Sequence, residues 1–290
     1  MLDVNVHGTA SRLSPEAVVP VVLTSSVSRA PGGAANVALN IAATGRFDHV
    51  TLVASVADDD SGRVLRSMLQ AGGVDISGVV TSSATTTTKR RVFVGTQLVS
   101  REDTERLLGQ EFPLLAEHVR IDSKTIVVVS DYAKGVVANA QTLLQRAHDA
   151  GAFIVVDPKC DLNLYGHVNV LKPNEHEMGV LCGGDVQMLF ESLPFLTQVI
   201  LTRGGAGVDI IERDGSVNHA DNPPGVVAVD VVGAGDTVLS MVCVLLQSCD
   251  RIDNAMLLAE TGAAAVVNTG TMVLDGAAID TLYLRSRARL

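Results

Sequence analysis

The segment Asp230-Val231-Val232-Gly233-Ala234-Gly235-Asp236-Thr237 leads directly into an apolar run with helical spacing. Small residues at the start of a helix leave several backbone N–H groups unpaired and pointing in one direction, which favours an anion there. The carboxylate of Asp236, close to the same helix start, could accept a proton from an attacking hydroxyl group. An aspartate N-cap after a tight glycine turn is the competing interpretation, and this segment alone does not exclude it. The sequence has no G-x-x-x-x-G-K-[ST] segment, which excludes a P-loop enzyme.

Short apolar runs rich in β-branched residues alternate with helical patterns along the rest of the chain. The predicted strands lie at 50–56, 125–129, 153–156, 168–171 and 199–201, and the predicted helices at 36–43, 61–71, 138–150 and 237–247. This alternation is typical of right-handed βαβ crossovers and predicts an α/β fold with a doubly wound, mostly parallel sheet. We therefore expect functional residues beyond the carboxyl ends of the strands.

Two extended segments interrupt the alternation. The Thr/Val-rich stretches at 17–28 and 85–100 show no helical period, and they predict a small accessory β-layer near residues 8–29 and 85–101. The sequence contains no internal repeat, low-complexity tract or long linker. We therefore expect one domain over residues 1–290 that carries this small layer as an insertion.

Composition excludes several classes of protein. The chain has 290 residues, 47% of them hydrophobic and 3% aromatic, so it can bury a core and is not disordered. Its net charge of −10 argues against binding to nucleic acid or to an anionic membrane. No apolar run approaches the ~20 residues of a membrane span, and the first residues carry no signal core. The four cysteines form no C-x-x-C pair and are typical of the reduced thiols of a soluble, cytoplasmic protein. They are Cys160, Cys182, Cys243 and Cys249.

A second glycine-rich segment, Arg29-Ala30-Pro31-Gly32-Gly33-Ala34-Ala35-Asn36, enters the first predicted helix. Paired glycines allow the backbone to approach a ligand closely, and Asn36 could bind a hydroxyl group of a polyol. A glycine turn followed by an asparagine cap is an equally good interpretation of this segment on its own.

A third segment, Leu171-Lys172-Pro173-Asn174-Glu175-His176-Glu177, directly follows a predicted strand. Asn174 and Glu177 lie one helical turn apart, a spacing suited to holding a hydrated Mg²⁺ near phosphate groups. A structural helix cap would use the same two residues. A zinc protease motif is excluded because no histidine lies four residues after His176.

Lysine is scarce, with five residues against seventeen arginines. Four of the five lysines lie in loops after predicted strands or in the accessory layer: Lys89, Lys134, Lys159 and Lys172. This repeated placement at carboxyl ends of strands favours a phosphorylated ligand, although each lysine alone would be explained by solvent exposure.

Taken together, the glycine pair with its asparagine, the N-x-x-E at 174–177 and the G-A-G-D at 233–236 resemble the ribokinase-like (PfkB) sugar kinases. The resemblance covers nearly the whole chain and implies a doubly wound fold with a β-lid formed by the two extended segments. It implies that Asp236 is the catalytic base and that Gly233, Ala234 and Gly235 form the anion hole. It further implies ATP and Mg²⁺ as cofactors, with Glu177 as the metal contact. The implied residues for nucleotide and metal are Asn174, Glu177, Thr202, Gly204, Gly207 and Asn268.

Within this family, the segments at 11–17 and 130–135 look like those of D-glycero-β-D-manno-heptose-7-phosphate kinases. This resemblance implies phosphorylation of the anomeric hydroxyl to the 1,7-bisphosphate, a step toward ADP-heptose and the inner core of lipopolysaccharide. Separately, an exposed Val/Thr-rich sheet invites pairing at its edge and face, so we expect a homodimer formed through the lid. The residues implied to hold the sugar are Asp3, Gly32, Gly33, Asn36 and Asp131. The candidates for its phosphate are Arg91, Arg101, Lys134 and Lys159, and Lys89 of the lid is a further residue implied to bind the substrate.

The sequence departs from this pattern at a few positions. Val232 stands where the family usually has Thr or Ser, and Gly95 and Thr96 stand where heptose kinases tend to have Arg-Asn. The family pattern also begins with a strand before the segment that matches Asp3, so we expect the upstream codons to encode roughly ten further residues.

Two other functions fit the same residues. One is a kinase of the same fold for another sugar, such as fructose 1-phosphate or ribose. The other is a regulator that binds sugar or nucleotide without catalysis, against which the intact Asp236 argues.

Overall fold

The structure is a computed structural model that describes residues 1–82, 85–105, 118–247, 251–267 and 273–289. Within these ranges the strands are β1 (Leu2–Leu13), β2 (Pro20–Pro31), β3 (Ala54–Ala57), β4 (Val79–Ser82), β5 (Thr88–Val94), β6 (Gln97–Thr104), β7 (Ile126–Ser130), β8 (Phe153–Asp157), β9 (Val170–Leu171), β10 (Gln198–Thr202), β11 (Val208–Glu212) and β12 (Val217–Ala220). The helices are α1 (Ala34–Ala43), α2 (Asp60–Ala71), α3 (Gln141–Asp149), α4 (Glu175–Cys182), α5 (Val186–Ser192), α6 (Ala234–Leu246), α7 (Ala255–Val266) and α8 (Gly276–Arg287). Cys249 and Asn268 lie outside the described residues.

The largest sheet has six strands in the order β12-β11-β10-β9-β8-β7, of which β7 to β10 run parallel. Its faces are covered by different helices. Val155 packs in one cluster with residues of α6 and α7, whereas Ile154 and Val156 pack in another with residues of α3, α4 and α5. Successive side chains of a strand point to opposite faces, so an apolar run such as 153–156 is buried on both sides. This arrangement is the doubly wound sheet that the alternation predicts.

A separate parallel pair, β3 and β4, packs with α1 and α2 around a third apolar cluster. The strand predicted at 50–56 begins only at Ala54 in the structure. Just before it, the Val50 carbonyl accepts a hydrogen bond from the Asp75 N–H at 2.8 Å, and the Leu52 N–H donates to the Asp75 carbonyl at 2.9 Å. Both bonds go to a single loop residue, Asp75. The β-ladder therefore does not extend back over residues 50–53.

The lid is a four-stranded sheet in the order β2-β1-β5-β6. Strands β1 and β2 form a long antiparallel pair, β1 and β5 run parallel, and β5 and β6 form a second antiparallel pair. Both extended segments identified in the sequence lie in this sheet. Residues 2–7, for which no strand is predicted, form the first half of β1 and carry Asp3.

Across the described ranges, no helix combines the length and the apolar character needed to cross a membrane. The cysteines of these ranges are free thiols, with Cys160 exposed and both Cys182 and Cys243 buried. Burial raises the pKa of the Cys243 thiol to about 12, which keeps it protonated.

Candidate active site

The glycine-rich segment forms the start of α6. Gly233 precedes the helix with a φ of 78°, in the left-handed region that glycine adopts without strain. The Ala234 N–H donates to the Val231 carbonyl at 3.4 Å, whereas Gly235 and Asp236 lie in the first turn, where a helix offers their N–H groups no internal partner. Asp236 is only 3% exposed. A buried carboxylate and backbone donors thus share one helix end.

Two side chains from distant parts of the sequence donate to the Asp236 carboxylate. The Asn36 amide nitrogen donates to Oδ2 at 3.0 Å, and the Tyr132 hydroxyl donates to Oδ1 at 3.0 Å. Burial raises the pKa of Asp236, while the bonds from Asn36 and Tyr132 and the charge of Lys172 oppose that rise. The carboxylate is therefore more basic than an exposed one and held in a fixed orientation, as a general base requires.

The amide of Asn36 belongs to a buried chain of hydrogen bonds. Its Oδ1 accepts from the Asn40 amide nitrogen at 3.3 Å, and Asn40 Oδ1 accepts from the Leu274 N–H at 2.8 Å. Asn36 thus faces the carboxylate of Asp236, and its predicted contact with a sugar hydroxyl stays a prediction.

The paired glycines make room for two functional side chains. A Cβ on Gly32 would lie 2.2 Å from Asp3 Oδ2, and a Cβ on Gly33 would lie 3.0 Å from the ring of Tyr132. Gly33 also has a φ of 59°, which other residues adopt only with strain. The absence of side chains at Gly32 and Gly33 therefore lets Asp3 and Tyr132 pack against the start of α1, and the predicted close approach of this backbone to a ligand stays a prediction.

Cations and carboxylates share the lid face that carries Asp3. Arg91 Nη1 donates to Asp3 Oδ1 at 2.6 Å, and the Arg101 guanidinium donates to both oxygens of Asp103 at 2.9 and 2.7 Å. Arg91 and Arg101 are directly opposite across β5 and β6, and Lys89 is opposite Asp103. Like charges opposite each other in a sheet repel, and an anionic ligand between them would relieve that repulsion.

Lys172 is the buried cation of the site, with 2% of its surface exposed. Its Nζ lies 3.1 Å from Asp157 Oδ2, and a Cβ on Gly235 would lie 3.7 Å from the same nitrogen. Burial raises the pKa of Asp157 to about 6, although the charge of Lys172 lowers it. The ammonium thus stands beside the N–H groups of α6, where a phosphate would need positive charge.

Asn174 and Glu177 form a capping box at the start of α4. Asn174 Oδ1 accepts from the Glu177 N–H at 2.9 Å, and Glu177 Oε2 accepts from the Asn174 N–H at 3.0 Å. The other oxygen, Oε1, accepts from Lys159 Nζ at 3.0 Å. The capping interpretation is therefore observed, whereas the predicted contact with Mg²⁺ and phosphate stays a prediction. Lys159 stands on this side of the site and not on the lid.

The turn at 203–207 follows β10 and lies beside Asn174. Thr202 forms an isolated parallel bridge with Asn174, and the Arg203 N–H donates to the Gly207 carbonyl at 2.9 Å. Gly207 has a φ of 96°, and a Cβ there would meet the Ala220 carbonyl oxygen at 2.1 Å. Gly204 exposes its backbone and accepts from the Asn222 amide nitrogen at 2.7 Å.

An apolar cleft of about 370 Å³ has Pro223 on its wall, the residue that follows Asn222. Its other walls come from residue 226 and from the ends of α7 and α8 with the residues that follow them, and they include the charged side chains of Glu260, Arg285 and Arg289. The cleft could not be predicted from the sequence, because small apolar residues such as Ala263, Ala264 and Val267 are equally typical of a helix core. Asn268, predicted to contact the nucleotide, lies outside the described residues.

Two further predicted residues lie in the turn after β7. The Asp131 carboxylate accepts from the Ala133 N–H at 2.7 Å and from the Tyr165 hydroxyl at 2.6 Å. Lys134 Nζ lies 2.5 Å from a carboxylate oxygen of Glu105, at the end of the lid. In the structure Asp131 supports the turn, and Lys134 ties that turn to the lid.

The described ranges hold no group of three or more His, Cys, Asp or Glu side chains that could bind a metal ion by themselves. Mg²⁺ is commonly held by one or two carboxylates together with the phosphates of a nucleotide. Glu177, 6% exposed and fixed by the capping box, fits the carboxylate part of such a site.

The sequence profile described as pfkB family carbohydrate kinase matches residues 4–274. The chain belongs to the pfkB family of carbohydrate kinases. As a member of the pfkB family it is a phosphotransferase with an alcohol group as acceptor, and the family implies the use of ATP. The predicted family and enzyme class are thereby confirmed.

Curated relatives of this pfkB kinase include proteins named bifunctional protein HldE. The one from Ectopseudomonas mendocina (strain ymp) is 33% identical over 296 residues, covering 98% of this chain and 61% of that protein. The one from Coxiella burnetii (strain RSA 331 / Henzerling II) is 34% identical over 283 residues, covering 92% of this chain and 58% of that protein. The chain spans about three-fifths of the length of these relatives.

Solved structures of pfkB kinases share the fold. Phosphofructokinase-2 from Escherichia coli in complex with substrates and products has a TM-score of 0.76 at 21% identity, covering 99% of this chain and 97% of that chain. Ribokinase from Arabidopsis thaliana complexed with ribose and ATP has a TM-score of 0.73 at 16% identity, covering 97% and 95%. At these identities the likeness shows the fold alone, and it confirms the predicted ribokinase-like α/β architecture.

Proposed function

We propose that the chain transfers the γ-phosphoryl group of ATP to the anomeric hydroxyl of D-glycero-β-D-manno-heptose 7-phosphate. The product, the 1,7-bisphosphate, would serve the synthesis of ADP-heptose and of the inner core of lipopolysaccharide. The observation that carries the proposal is the buried Asp236 carboxylate at the start of α6, oriented by Asn36 and Tyr132. A reaction that uses ATP would place the protein in the cytoplasm.

Asp236 would act as the general base. Its raised pKa makes the carboxylate a stronger proton acceptor than an exposed aspartate, and it remains ionised only above that pKa. A carboxylate has about four lone-pair positions, so the bonds from Asn36 and Tyr132 leave room for a third donor. The third donor would be the sugar hydroxyl, whose proton passes to Asp236 as its oxygen attacks phosphorus.

Positive charge at the same helix end would stabilise the transferring group. The N–H groups of Gly235 and Asp236 lie in the first turn of α6, and Lys172 Nζ stands close to Gly235. Phosphoryl transfer depends mainly on positioning and on neutralised charge, and fixed donors supply both without reorganisation.

The nucleotide would bind along the turn at 203–207 and in the apolar cleft beside it. The cleft offers mainly apolar surface for a planar base, and the exposed residues 204–206 leave backbone accessible along the turn. Glu177 would hold Mg²⁺ together with the phosphates of ATP. Lys159, which donates a hydrogen bond to Glu177, would balance the negative charge of that carboxylate. ATP supplies the phosphoryl group.

The lid would bind the sugar phosphate. Asp3 would accept hydrogen bonds from sugar hydroxyls, and the opposed Arg91 and Arg101 offer two guanidinium groups to a phosphate. The segments at 11–17 and 130–135, which resemble heptose-7-phosphate kinases, and the similarity to proteins named HldE support this substrate.

Substrate choice tests the proposal directly. We expect heptose 7-phosphate to be used at least about tenfold better, as kcat/KM, than heptose without the phosphate, because one charged contact at a partly buried site is worth roughly 1.5–3 kcal/mol. A coupled ATPase assay over a panel of sugars and sugar phosphates measures this ratio. Equal use of both heptoses, or a preference for fructose 1-phosphate or ribose, would contradict the proposal.

A matched pair of variants locates the phosphate contact on the lid. Arg101→Met should remove most of the preference for the phosphorylated sugar. Arg90→Met should leave it unchanged, because Arg90 pairs with Glu102 at 3.0 Å on the opposite face of the strand. An equal loss in both variants would mean that overall lid charge, and not a phosphate site, sets the preference.

We also propose that the chain forms a homodimer through the lid. The lid exposes large apolar side chains at several positions: Leu13, Val18, Val19, Leu23, Val27 and Leu98. Exposed apolar strands at the edge of a sheet invite association, and a second copy of the same surface would cover them.

Sedimentation tests the dimer. The protein should sediment as a dimer at micromolar concentration, and the double variant Leu23→Glu/Val27→Glu should sediment as a monomer because it places charges in the interface. Val180→Glu is the control, because Val180 is 53% exposed on α4, away from the lid. A monomeric wild-type protein would contradict this proposal.

A further inference from the structure

Tyr132 makes a direct contact with the proposed base, although the sequence analysis gave it no role. Its hydroxyl donates to Asp236 Oδ1 at 3.0 Å, and its ring lies against the backbone of Gly33. Burial and the nearby charge of Asp236 raise the pKa of the phenol, so the hydroxyl stays protonated and remains a donor.

The backbone that carries Tyr132 is strained in a specific way. Ala133 has a φ of 52°, and among the described residues it is the one non-glycine residue in the left-handed region. A side chain in this region costs free energy and persists only where the surroundings hold it. Here the Asp131 carboxylate holds the turn, since it accepts from the Ala133 N–H at 2.7 Å and from the Tyr165 hydroxyl at 2.6 Å.

The strained residue lies next to the donor. Ala133 directly follows Tyr132, which lies two residues beyond the last residue of β7, and the Tyr132 hydroxyl reaches Asp236 in the first turn of α6. Strained residues that are held in this way occur preferentially at functional sites.

We propose that Tyr132 is a positioning residue for Asp236: its hydroxyl holds one carboxylate oxygen, so that the ionised carboxylate keeps the orientation in which it accepts the proton of the acceptor hydroxyl. This inference rests on the proposed function, because it assumes that Asp236 is the base. Asn36 holds the other oxygen, and the two donors together prevent rotation of the carboxylate about its Cβ–Cγ bond. Loss of either donor would favour the protonated form of Asp236.

Other groups also act on this carboxylate and must stay constant in any test. Among the side chains of the described residues, the charged groups whose fields reach it include Lys172, Asp3 and Asp157. A substitution at Tyr132 removes only a neutral donor and changes none of these charges. Tyr132→Phe is therefore a clean probe of the hydrogen bond.

The first measurement needs no substrate. In protein labelled with ¹³C at the aspartate carboxyl carbons, Asp236→Asn identifies the resonance of Asp236, and its pKa is followed in wild type, Tyr132→Phe and Tyr283→Phe. We expect Tyr132→Phe to raise the pKa of Asp236 by about one unit, the effect of one hydrogen bond to a charged group. Tyr283, half-buried on α8, is the control, and its loss should leave that pKa unchanged.

A second label keeps the test valid if Tyr132→Phe folds poorly. The chain has three tyrosines, so ¹³C at the ring Cζ gives three resonances. The Tyr132 resonance should follow the titration of Asp236 in the wild-type protein and lose that step in Asp236→Asn. An unchanged Asp236 pKa in folded Tyr132→Phe, or a Tyr132 resonance that ignores the titration, overturns the proposal.

Kinetics then separate this proposal from the proposed function. In Tyr132→Phe the acidic limb of the kcat/KM profile for the sugar should move to higher pH by the same amount as the Asp236 pKa of the free protein, with kcat/KM about tenfold lower below it and the KM for ATP unchanged. A uniform loss of kcat/KM at every pH, with no shift of the limb, would show a merely structural role and overturn the proposal. If the carboxyl titration shifts as expected while no sugar is phosphorylated by the wild-type protein, the proposed function fails and the hydrogen-bond coupling stands.

Discussion

Asp236→Asn should lower the turnover of sugar phosphorylation on the order of a hundredfold or more, the scale of a general-base contribution. The side chain keeps its size and one acceptor oxygen, so binding of the nucleotide should change little. What it loses is the ability to take a proton. In addition, the new NH₂ group replaces one of the two carboxylate oxygens. It therefore places a donor against another donor, either the Asn36 amide or the Tyr132 hydroxyl. The measurement is kcat with saturating ATP and sugar phosphate.

The stability of this variant should change in the opposite direction. Burial raises the pKa of Asp236, so the native state loses stability as the pH rises through that pKa. Asparagine cannot ionise and avoids this loss. We therefore expect the melting temperature of Asp236→Asn, relative to wild type, to improve as the pH rises from below the ordinary pKa of aspartate through the raised pKa of Asp236. Loss of turnover together with kept or improved stability is the pattern of a functional carboxylate, whereas a structural one would lose both.

Asp185→Asn provides the matched control. Asp185 caps α5 by accepting from the Gln187 N–H at 3.0 Å, and asparagine caps a helix equally well. Asp185 lies beyond the C-terminal end of α4, whereas Asn174 caps the N-terminal end of that helix. The turnover of Asp185→Asn should therefore equal that of wild type. Near-normal turnover in Asp236→Asn would remove the base assignment and favour the interpretation of the chain as a regulator.

Much of the main domain follows from local patterns. The predicted helix at 61–71 matches α2 (Asp60–Ala71) because Asp59 caps it and a polar loop precedes it. The strands predicted at 125–129 and 153–156 match β7 and β8, because short β-branched runs bounded by polar residues strongly favour a strand over a helix or a loop. The short helix α5 gave no such signal, since its seven residues lack two full turns of periodicity.

The candidate site was less accessible to sequence reasoning. Asn174 and Glu177 could be paired in advance because they lie one helical turn apart. The bond from Tyr132 to Asp236 could not, because 104 residues separate the two and only the fold brings them together. One local signal did exist: Tyr132 directly follows a strand end, where functional residues of an α/β sheet concentrate.

The roles of cations were the hardest to assign. Lysines that follow strands predict a phosphorylated ligand. In the structure, however, three of these lysines each form an ion pair with a different carboxylate of the protein. Lys159 binds Glu177 and Lys134 binds Glu105, both at the surface of the site, whereas Lys172 is buried beside Asp157. Sequence spacing does not show which carboxylate a lysine meets, because those partners lie 15 to 29 residues away on other elements.

Lys172→Met should be the most destabilising single change in the site. The lysine side chain is 3% exposed and its Asp157 partner 17%, so removal of the ammonium leaves a largely buried carboxylate without its cation. Breaking a buried ion pair from one side typically costs about 3–5 kcal/mol. Methionine fills a similar volume, so the loss arises from charge and not from a cavity.

The loss should depend on pH in a direction that identifies its cause. The pKa of Asp157 is already raised to about 6 by burial, so its ionisation lowers stability as the pH rises through 6. Without Lys172 that pKa rises further, and the variant must either keep the proton or bury an unpaired charge. The difference in melting temperature between variant and wild type should therefore be small at pH 5 and large at pH 8. An equal difference at both values would contradict this account.

A double variant separates stability from phosphoryl transfer. Lys172→Met/Asp157→Asn removes both charges, so it should recover most of the stability lost by Lys172→Met at pH 8. It should not recover turnover, because the ammonium beside Gly235 would still be missing from the site of the transferring group, a loss of about a hundredfold. Lys124→Met, at an exposed lysine, is the control for both measurements. If the double variant regains turnover along with stability, Lys172 serves the fold alone, and the backbone N–H groups at the start of α6 must supply the positive end of the site by themselves.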